Sequence, residues 1–198
     1  MEKKSQLDIL LANVDIDLAK EWNPTKNADI LSSNIKLKKI EKYWWKCKKG
    51  KDHEWRSNIY NREQGKTCPI CAGQKVVFSN CLQTLNPDLA DEWHPTKNGD
   101  LSPLQVSLKS NRTVWWKCKA GDDHEWRAII SNRANGKNCP VCAGKKIVLS
   151  NCLATTHPHL ADEWHPTKNK NKSPYNVISG DNTRYWWRCN KGNDHEWE

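Results

Sequence analysis

The 198-residue sequence predicts small α+β modules repeated in tandem, and three observations lead to this fold class. First, Trp22, Trp93 and Trp164 lie 71 residues apart, and a cysteine and a histidine keep the same period. A fixed internal period indicates a fold built from units. Second, a unit of about 70 residues buries too little apolar surface to be stable without a staple. Third, the chain carries 12 Trp and nine Cys but a single Phe, so tryptophan and cysteine chemistry must supply much of the stability.

The period of about 71 residues divides the chain into two complete repeats and one broken repeat. We place a leader at residues 1–7, repeat 1 at 8–78, repeat 2 at 79–149 and an incomplete repeat 3 at 150–198. By this period, the last two cysteines of repeat 3 would fall beyond the final residue. We therefore expect the sequence to be a fragment or a truncated reading frame, with a last unit that is poorly ordered as it stands.

Each repeat is predicted to contain short helices and a β-hairpin. Residues 79–93 favour two short helices rather than one, because Pro87 interrupts a pattern that places Leu82, Leu85, Leu89 and Trp93 near one face. Ser79 or Asn80 could cap the first of these helices. The segments 114–118 (VWWKC) and 124–130 (HEWRAII) are typical of strands joined by a glycine-containing turn. The turn formers predict a loop at 94–103 and a second loop at 131–144, and the β-branched residues predict a short strand at 145–150.

The cysteines and histidines form a metal-ligand pattern with the spacing C-x5-H-x14-C-x2-C in both complete repeats. The predicted ligands are Cys47, His53, Cys68 and Cys71 in repeat 1, Cys118, His124, Cys139 and Cys142 in repeat 2, and the half-site Cys189 and His195 in repeat 3. Three thiolates and one imidazole are a common closed tetrahedral set for structural Zn²⁺. The Cys-Pro-x-Cys turn brings two thiolates to one ion, and the hairpin supplies the other two ligands. The alternative is that the two histidines are packed side chains and the fourth ligand is missing.

A zinc site is favoured over disulfides because the chain has no signal-peptide pattern at its start. We expect an intracellular, cytoplasmic protein, and disulfides are rare there. No stretch is long enough to span a membrane, and we expect no membrane partner. Cys81 and Cys152 also repeat, but their position at a helix start favours small buried side chains over ligands.

The motifs LADEWHPTKNGDLSP, VWWKC, DHEWRAII and NCPVCAG, taken in order, resemble a tandem repeat family, the probable zinc-ribbon or treble-clef zinc finger domain. The resemblance covers nearly the whole chain after residue 6 and implies zinc-ribbon or treble-clef units with the same two complete zinc sites. Members of that family look like arrays that are sometimes attached to nuclease-like domains, which implies a nucleic-acid role in a nuclease, defence or mobile-element protein. The chain departs from the pattern in having Cys81 and Cys152 and in lacking an attached catalytic domain.

The formal charge of +9 suits a polyanionic partner, DNA or RNA. Lysines neutralise phosphates, and exposed aromatic rings stack on bases. The candidate contacts are Lys38, Lys39, Lys46, Lys48, Arg56 and Arg62 in repeat 1 and Lys117, Lys119, Arg127 and Arg133 in repeat 2. The alternative is a protein-interaction or targeting array that docks a partner nuclease or another protein, in which these charges are solvated strand edges.

Catalysis is not expected. A catalytic zinc keeps an open coordination position, whereas four protein ligands close the site. No nucleophile elbow, phosphate-binding glycine loop or nuclease signature occurs in the sequence. Glu54 and Glu125 follow the ligand histidines, but they are more typical of strand-surface charges than of general bases. We therefore predict that the protein is not an enzyme.

Overall fold

The computed structural model describes residues 16–31, 38–189, 191–192 and 194–198. In chain order, the helices and strands are α1 (Ile16–Lys20), α2 (Ala28–Leu31), β1 (Lys42–Lys46), β2 (Glu54–Asn58), α3 (Ile59–Glu63), α4 (Leu82–Leu85), α5 (Pro87–Ala90), β3 (Thr113–Lys117), β4 (Glu125–Ile129), α6 (Ile130–Ala134), α7 (Leu153–Thr156), α8 (Pro158–Asp162), β5 (Trp187–Arg188) and β6 (Glu196–Trp197). Single 3₁₀ turns occur at Phe78–Asn80, Pro103–Gln105 and Leu149–Asn151. The predicted class, small α+β modules with hairpins and short helices, is confirmed. None of the described helices has the length and apolar character needed to cross a membrane.

The chain forms two compact units. Unit 1 comprises Met1–Pro87 with Ser102–Ser110, and unit 2 comprises Asp88–Leu101 with Asn111–Glu198. Unit 1 therefore holds one hairpin, β1–β2, whereas unit 2 holds two, β3–β4 and β5–β6.

The hairpin of unit 1 has one buried face and one outer face. Strands β1 and β2 pair antiparallel, with Trp45 opposite Trp55 and Trp44 opposite Arg56. Successive strand residues point to opposite faces, so Tyr43 and Trp45 are buried while their neighbours face outward. The two adjacent tryptophans therefore have different roles: Trp45 is fully buried, and Trp44 is half-buried on the outer face.

The free edge of β1 is covered by the segment that follows α1. The Lys46 amide donates to the Glu21 carbonyl at 2.7 Å, and the Asn23 amide donates to the Trp44 carbonyl at 3.2 Å. The Asn27 side chain completes this edge, since its Oδ1 accepts from the Trp44 amide at 3.0 Å and its Nδ2 donates to the Trp44 carbonyl at 2.8 Å. Unit 2 repeats the arrangement at the edge of β3. The covering segment is the one predicted as a loop at 94–103, and it satisfies the free hydrogen-bonding groups of that edge.

Tryptophan rings form the core of unit 1. The Trp22 and Trp45 rings meet edge to face, with centroids 5.6 Å apart. The Arg62 guanidinium lies over both Trp45 and Trp55, 5.4 and 5.3 Å from the ring centroids, and pairs with Glu21. Large aromatic rings bury much area for little conformational entropy, which suits a core that is poor in aliphatic side chains.

Unit 2 repeats this core. Trp116 lies opposite Trp126, and Trp93 meets Trp116 edge to face at 5.6 Å. The third hairpin is shorter, with two residues in each strand, and Trp164 meets Trp187 at 5.2 Å beside the buried Tyr185.

Two predicted elements were wrong. The loop predicted at 131–144 begins within a short helix, α6. The equivalent helix α3 is capped by Asn58, whose side chain accepts from the Asn61 amide at 2.8 Å. The strand predicted at 145–150 is absent: the segment turns, and the Asn151 side chain accepts from the Val148 amide and donates to the Val141 carbonyl. A β-branched run forms a strand only where a partner strand is available, and here an asparagine side chain bonds the backbone instead.

The predicted pair of short helices around Pro87 is confirmed as α4 and α5. Leu82 and Leu89 are buried as expected, but Leu85 is 52% exposed and does not share their buried environment. Cys81, not Ser79 or Asn80, occupies the capping position of α4, and it makes no side-chain capping bond.

Candidate metal centre

Each complete repeat brings its four predicted ligands together. The ligand atoms of Cys47, His53, Cys68 and Cys71 all lie within 4.8 Å of one another, and so do those of Cys118, His124, Cys139 and Cys142. In unit 1 the Cys47 and Cys71 sulfurs are 3.7 Å apart. The His53 Nδ1 atom lies 3.8 Å from the Cys68 sulfur and 3.4 Å from the Cys71 sulfur.

These distances fit tetrahedral zinc. Zn–S bonds of about 2.3 Å place two sulfurs about 3.8 Å apart in a tetrahedron, and a Zn–N bond of about 2.0–2.1 Å places sulfur and nitrogen about 3.5 Å apart. Unit 2 gives 3.6 Å between the Cys118 and Cys142 sulfurs and 3.4 Å from the Cys142 sulfur to His124 Nδ1. The protein therefore has two Cys₃His zinc-binding groups whose donor atoms suit a closed structural site.

The hairpin turn presents Cys47 and His53 through a close approach at a glycine. The Cys47 amide donates to the His53 carbonyl at 3.0 Å, and the His53 amide donates to the Gly50 carbonyl at 3.2 Å. A Cβ atom on Gly50 would lie 2.5 Å from the imidazole Cδ2 of His53, so only glycine leaves room for the ring. Gly121 stands in the same relation to His124, at 2.7 Å.

A serine and an aspartate hold the ligand histidine from behind. With Nδ1 facing the sulfurs, the His53 ring carries its proton on Nε2, which donates to the Ser79 hydroxyl at 3.1 Å. The Ser79 hydroxyl donates to Asp52 Oδ1 at 2.6 Å, and the Ser79 amide donates to Oδ2 at 2.9 Å. These two bonds from Ser79 lower the pKa of the Asp52 carboxyl. Such outer partners fix the tautomer and orientation of a metal ligand.

Unit 2 has the same support, with His124 bonded to the Ser150 hydroxyl at 3.2 Å and Ser150 to Asp123 at 2.6 Å. Sequence reasoning missed this role, since it assigned Ser79 to a helix cap. The available signal was the 71-residue period, which Ser79 and Asp52 share with Ser150 and Asp123.

One thiol of each centre holds its proton strongly when no metal is bound. Desolvation, followed by hydrogen bonds with Cys47 and Cys68, raises the pKa of the Cys71 thiol to about 12. The Cys142 thiol is raised to about 12 for the same reasons. Zinc must therefore displace protons from these sulfurs when it binds.

The third centre is incomplete. The Cys189 sulfur and His195 Nδ1 lie 3.2 Å apart, so the hairpin presents half of a ligand set. Both strands of this hairpin are short, and the His195 side chain is exposed.

The other repeated cysteines and histidines have different partners. Cys81 and Cys152 are buried and bond the Phe78 and Leu149 carbonyls, each at 3.2 Å. His94 donates from Nε2 to Glu125 at 2.9 Å, while its Nδ1 accepts from the Lys97 amide at 3.1 Å. Because Nδ1 accepts, this imidazole is neutral.

Asn23 makes equivalent contacts in unit 1. Its Nδ2 donates to Glu54 at 2.8 Å, and its Oδ1 accepts from the Lys26 amide at 3.1 Å. Asparagine and neutral histidine therefore fill one structural role. Glu125 is occupied as an acceptor, and hydrogen bonds from Lys97 and then His94 lower its pKa to about 2.

The basic residues predicted to contact nucleic acid have three different settings. Lys46, Lys48, Arg56 and Arg127 are exposed and form no ion pair with the described part of the chain. Four others are ion-paired: Lys38 with Glu41, Lys39 with Glu63, Lys117 with Asp122 and Lys119 with Asp91. Arg62 and Arg133 are buried.

The two buried arginines belong to the core. Arg62 is 8% exposed, lies over two indole rings and pairs with Glu21. Arg133 makes the same contacts with Glu92 and two tryptophans. We therefore remove both from the candidate nucleic-acid surface, because reaching a phosphate would break a buried ion pair.

A repeated lysine was missed. Lys26, Lys97 and Lys168 place their ammonium groups 4.4, 4.9 and 4.3 Å from the ring centroids of Trp44, Trp115 and Trp186. Both the lysine and the tryptophan keep the 71-residue period, so the signal was present in the sequence.

Comparison with known proteins agrees with this geometry. The model of one family, described as a probable treble clef zinc finger domain, matches residues 18–74, 89–145 and 160–198. No curated protein matches the chain. The matched segments cover most of the sequence and contain both complete ligand sets, so the chain belongs to the probable treble clef zinc finger domain family.

Proposed function

We propose that this zinc-stabilised protein binds nucleic acid through the outer face of its first hairpin. The observation that carries the proposal is a half-exposed indole surrounded by cations. Lys42, Trp44 and Lys46 alternate along the outer face of β1, and Arg56 lies directly opposite Trp44 on β2. Cations beside an accessible aromatic ring suit phosphate contact combined with base stacking.

Little negative charge opposes these cations. Glu54 faces outward opposite Lys46, but Lys26 pairs with it and also lies over Trp44. The hairpin turn adds the exposed Lys48, Lys49 and Lys51. Asp52, the acidic residue of this turn, is held by Ser79. The face is therefore positive at neutral pH.

The corresponding face of unit 2 is less basic. Thr113 replaces Lys42, and the outward Lys117 pairs with Asp122 at 3.3 Å. Arg127 remains exposed opposite Trp115. We expect the two units to contribute unequally, with unit 1 dominant.

Direct binding assays with single- and double-stranded DNA and RNA test the proposal. The affinity of the zinc-loaded protein should fall steeply as salt rises, since phosphate contacts release counterions. Replacing Lys46 and Arg56 by alanine should weaken binding by about tenfold or more, whereas the matched Lys117 and Arg127 pair should have a smaller effect. Weak salt dependence, or equal effects of the two pairs, would contradict the assignment.

Docking of a protein partner, including a nuclease, is a second candidate function. Exposed apolar side chains favour it: Phe78 is 71% exposed, and the equivalent Leu149 is 65% exposed. A partner that binds these side chains should lose affinity when both are replaced by serine and should depend little on salt. We also propose that the zinc centres have no catalytic role, because four protein ligands occupy the tetrahedral positions.

A further inference from the structure

We propose that unit 1 contains a second binding site, a cleft beside the zinc centre that takes a nucleotide with a terminal phosphate. The cleft has a volume of about 290 Å³. This lies near the lower end of the range of about 300–1,000 Å³ for small-molecule sites, so it suits a single nucleotide rather than a longer segment. The nucleotide assignment rests on the proposed function, whereas the cleft and its charge are independent of it.

The cleft has apolar walls and a cationic rim. Ile70, Leu85 and Leu108 supply apolar surface, and Lys49 and Lys109 line it as cations. Leu85 is half exposed, which places a large apolar side chain where a ligand can cover it. Neither lysine has a carboxylate partner among the residues that the structure describes.

Two other polar side chains that line the cleft are already bonded. The Ser79 hydroxyl is engaged by His53 and Asp52. The Asn80 amide donates to the Ile70 and Lys75 carbonyls, each at 3.0 Å. The two ammonium groups are therefore the charged groups left for a ligand, which indicates an anionic group on a planar or apolar body.

A bound zinc ion would add to the electrostatics of the cleft. Three thiolates and one Zn²⁺ would leave about one negative charge at the centre to which the lining residues Cys71 and His53 belong. We expect the phosphate to pair with the two lysines and the base to pack on Leu85 and Leu108.

The matching positions of unit 2 lack these features. Ile178 stands where unit 1 has Ser107, and its Cδ1 lies 3.0 Å from where a Cβ on Gly144 would stand. Gly73, the equivalent of Gly144, has no such neighbour within 4 Å. The small Ser107 therefore leaves open the space that Ile178 fills.

The charged and apolar residues of the cleft are also replaced in unit 2. Lys49 and Lys109 correspond to Ala120 and Gly180, while Leu85 and Leu108 correspond to Thr156 and Ser179. Unit 2 therefore provides a control within the same chain.

The test is titration of the zinc-loaded full chain with adenosine monophosphate, followed by calorimetry and amide NMR. Signals of unit 1 around Leu108 should shift. Ser107→Ile should abolish binding, the double change Lys49→Ala and Lys109→Ala should weaken it by at least tenfold, and Ile178→Ser should leave it unchanged. Zinc content is measured for each variant, so that a loss of fold is not scored as a loss of binding.

Ligand analogues decide the chemistry. Adenosine should bind at least tenfold more weakly than the monophosphate, and inorganic phosphate should also bind more weakly. Absence of binding at millimolar monophosphate, equal binding of inorganic phosphate, or occupation by an acidic peptide in place of the nucleotide would overturn the proposal.

Two further comparisons separate this site from the outer face. The first compares a 5′-phosphorylated oligonucleotide with its 5′-hydroxyl form. If the phosphorylated form binds more tightly and Ser107→Ile removes the difference, the site binds a strand end. Binding of the monophosphate without this difference assigns it to a free nucleotide. If Lys46 and Arg56 variants keep full oligonucleotide affinity while Ser107→Ile still abolishes monophosphate binding, the proposed function fails and the cleft stands.

Discussion

Replacing Ser79 by alanine should weaken zinc binding at the first centre by about tenfold to hundredfold. The change removes the hydroxyl that accepts from His53 Nε2 at 3.1 Å and donates to Asp52 at 2.6 Å. His53 is 7% exposed, so its ring depends mainly on protein partners. An unpaired buried donor costs about 1–3 kcal/mol, and each 1.4 kcal/mol is tenfold in affinity. This agrees with the effect of about 10–100-fold that is typical for outer partners of a metal ligand.

Competition with a chromophoric chelator measures this effect, because the two centres titrate separately once their affinities differ. The second centre, supported by Ser150, is the internal control and should keep its affinity. Ser150→Ala should reverse the pattern, weakening the second centre and sparing the first. A change of less than about twofold at the first centre would refute the inference that Ser79 stabilises the ligand histidine.

Three further predictions concern the centre and the segment that covers the strand edge. Gly50→Ala should lower zinc affinity at the first centre in the chelator assay, because its Cβ would lie 2.5 Å from the His53 ring, and an unchanged affinity would contradict this packing. His94→Asn should change the free energy of unfolding by less than about 0.5 kcal/mol, whereas His94→Ala should lower it by about 1–3 kcal/mol because the donor to Glu125 is lost. Denaturant unfolding measures both values. Equal losses in the two variants would contradict the shared role of asparagine and neutral histidine. Zinc binding near pH 7 should release protons, since a thiol must lose its proton to bind the metal and the pKa of the Cys71 thiol is raised to about 12. Affinity should then rise with pH, and calorimetry in buffers of different ionisation enthalpy that showed no proton release would contradict this.

The hairpins and the ligand sets were predictable because their signals are local. The alternation in VWWKC places Trp45 and Trp116 on one face, and both are fully buried. The spacing of Cys47 and His53 is typical of a turn between two strands, and the Cys-Pro-x-Cys spacing is typical of a tight turn that supplies two ligands to one ion. Chemistry that depends on residue type at short separation can be read from the sequence.

The arginines show where this reasoning ends. A basic residue in a turn-rich segment has the same sequence pattern whether it faces solvent or packs over two indole rings. Arg56 is exposed, whereas Arg62, six residues later, pairs with Glu21 across 41 positions. Only the packing of α3 against the hairpin separates the two roles.

The repeat, the α+β class and the identity of the zinc ligands follow from the sequence alone, because metal coordination selects a few residue types at fixed spacings. The tertiary structure decided which partners support those ligands: Ser79 reaches His53 across 26 residues, and Asn27 reaches Trp44 across 17. It also decided that Ile178 occupies the space beside Gly144 that stays open beside Gly73. Such contacts depend on distances between segments far apart in the chain, and no local periodicity encodes them.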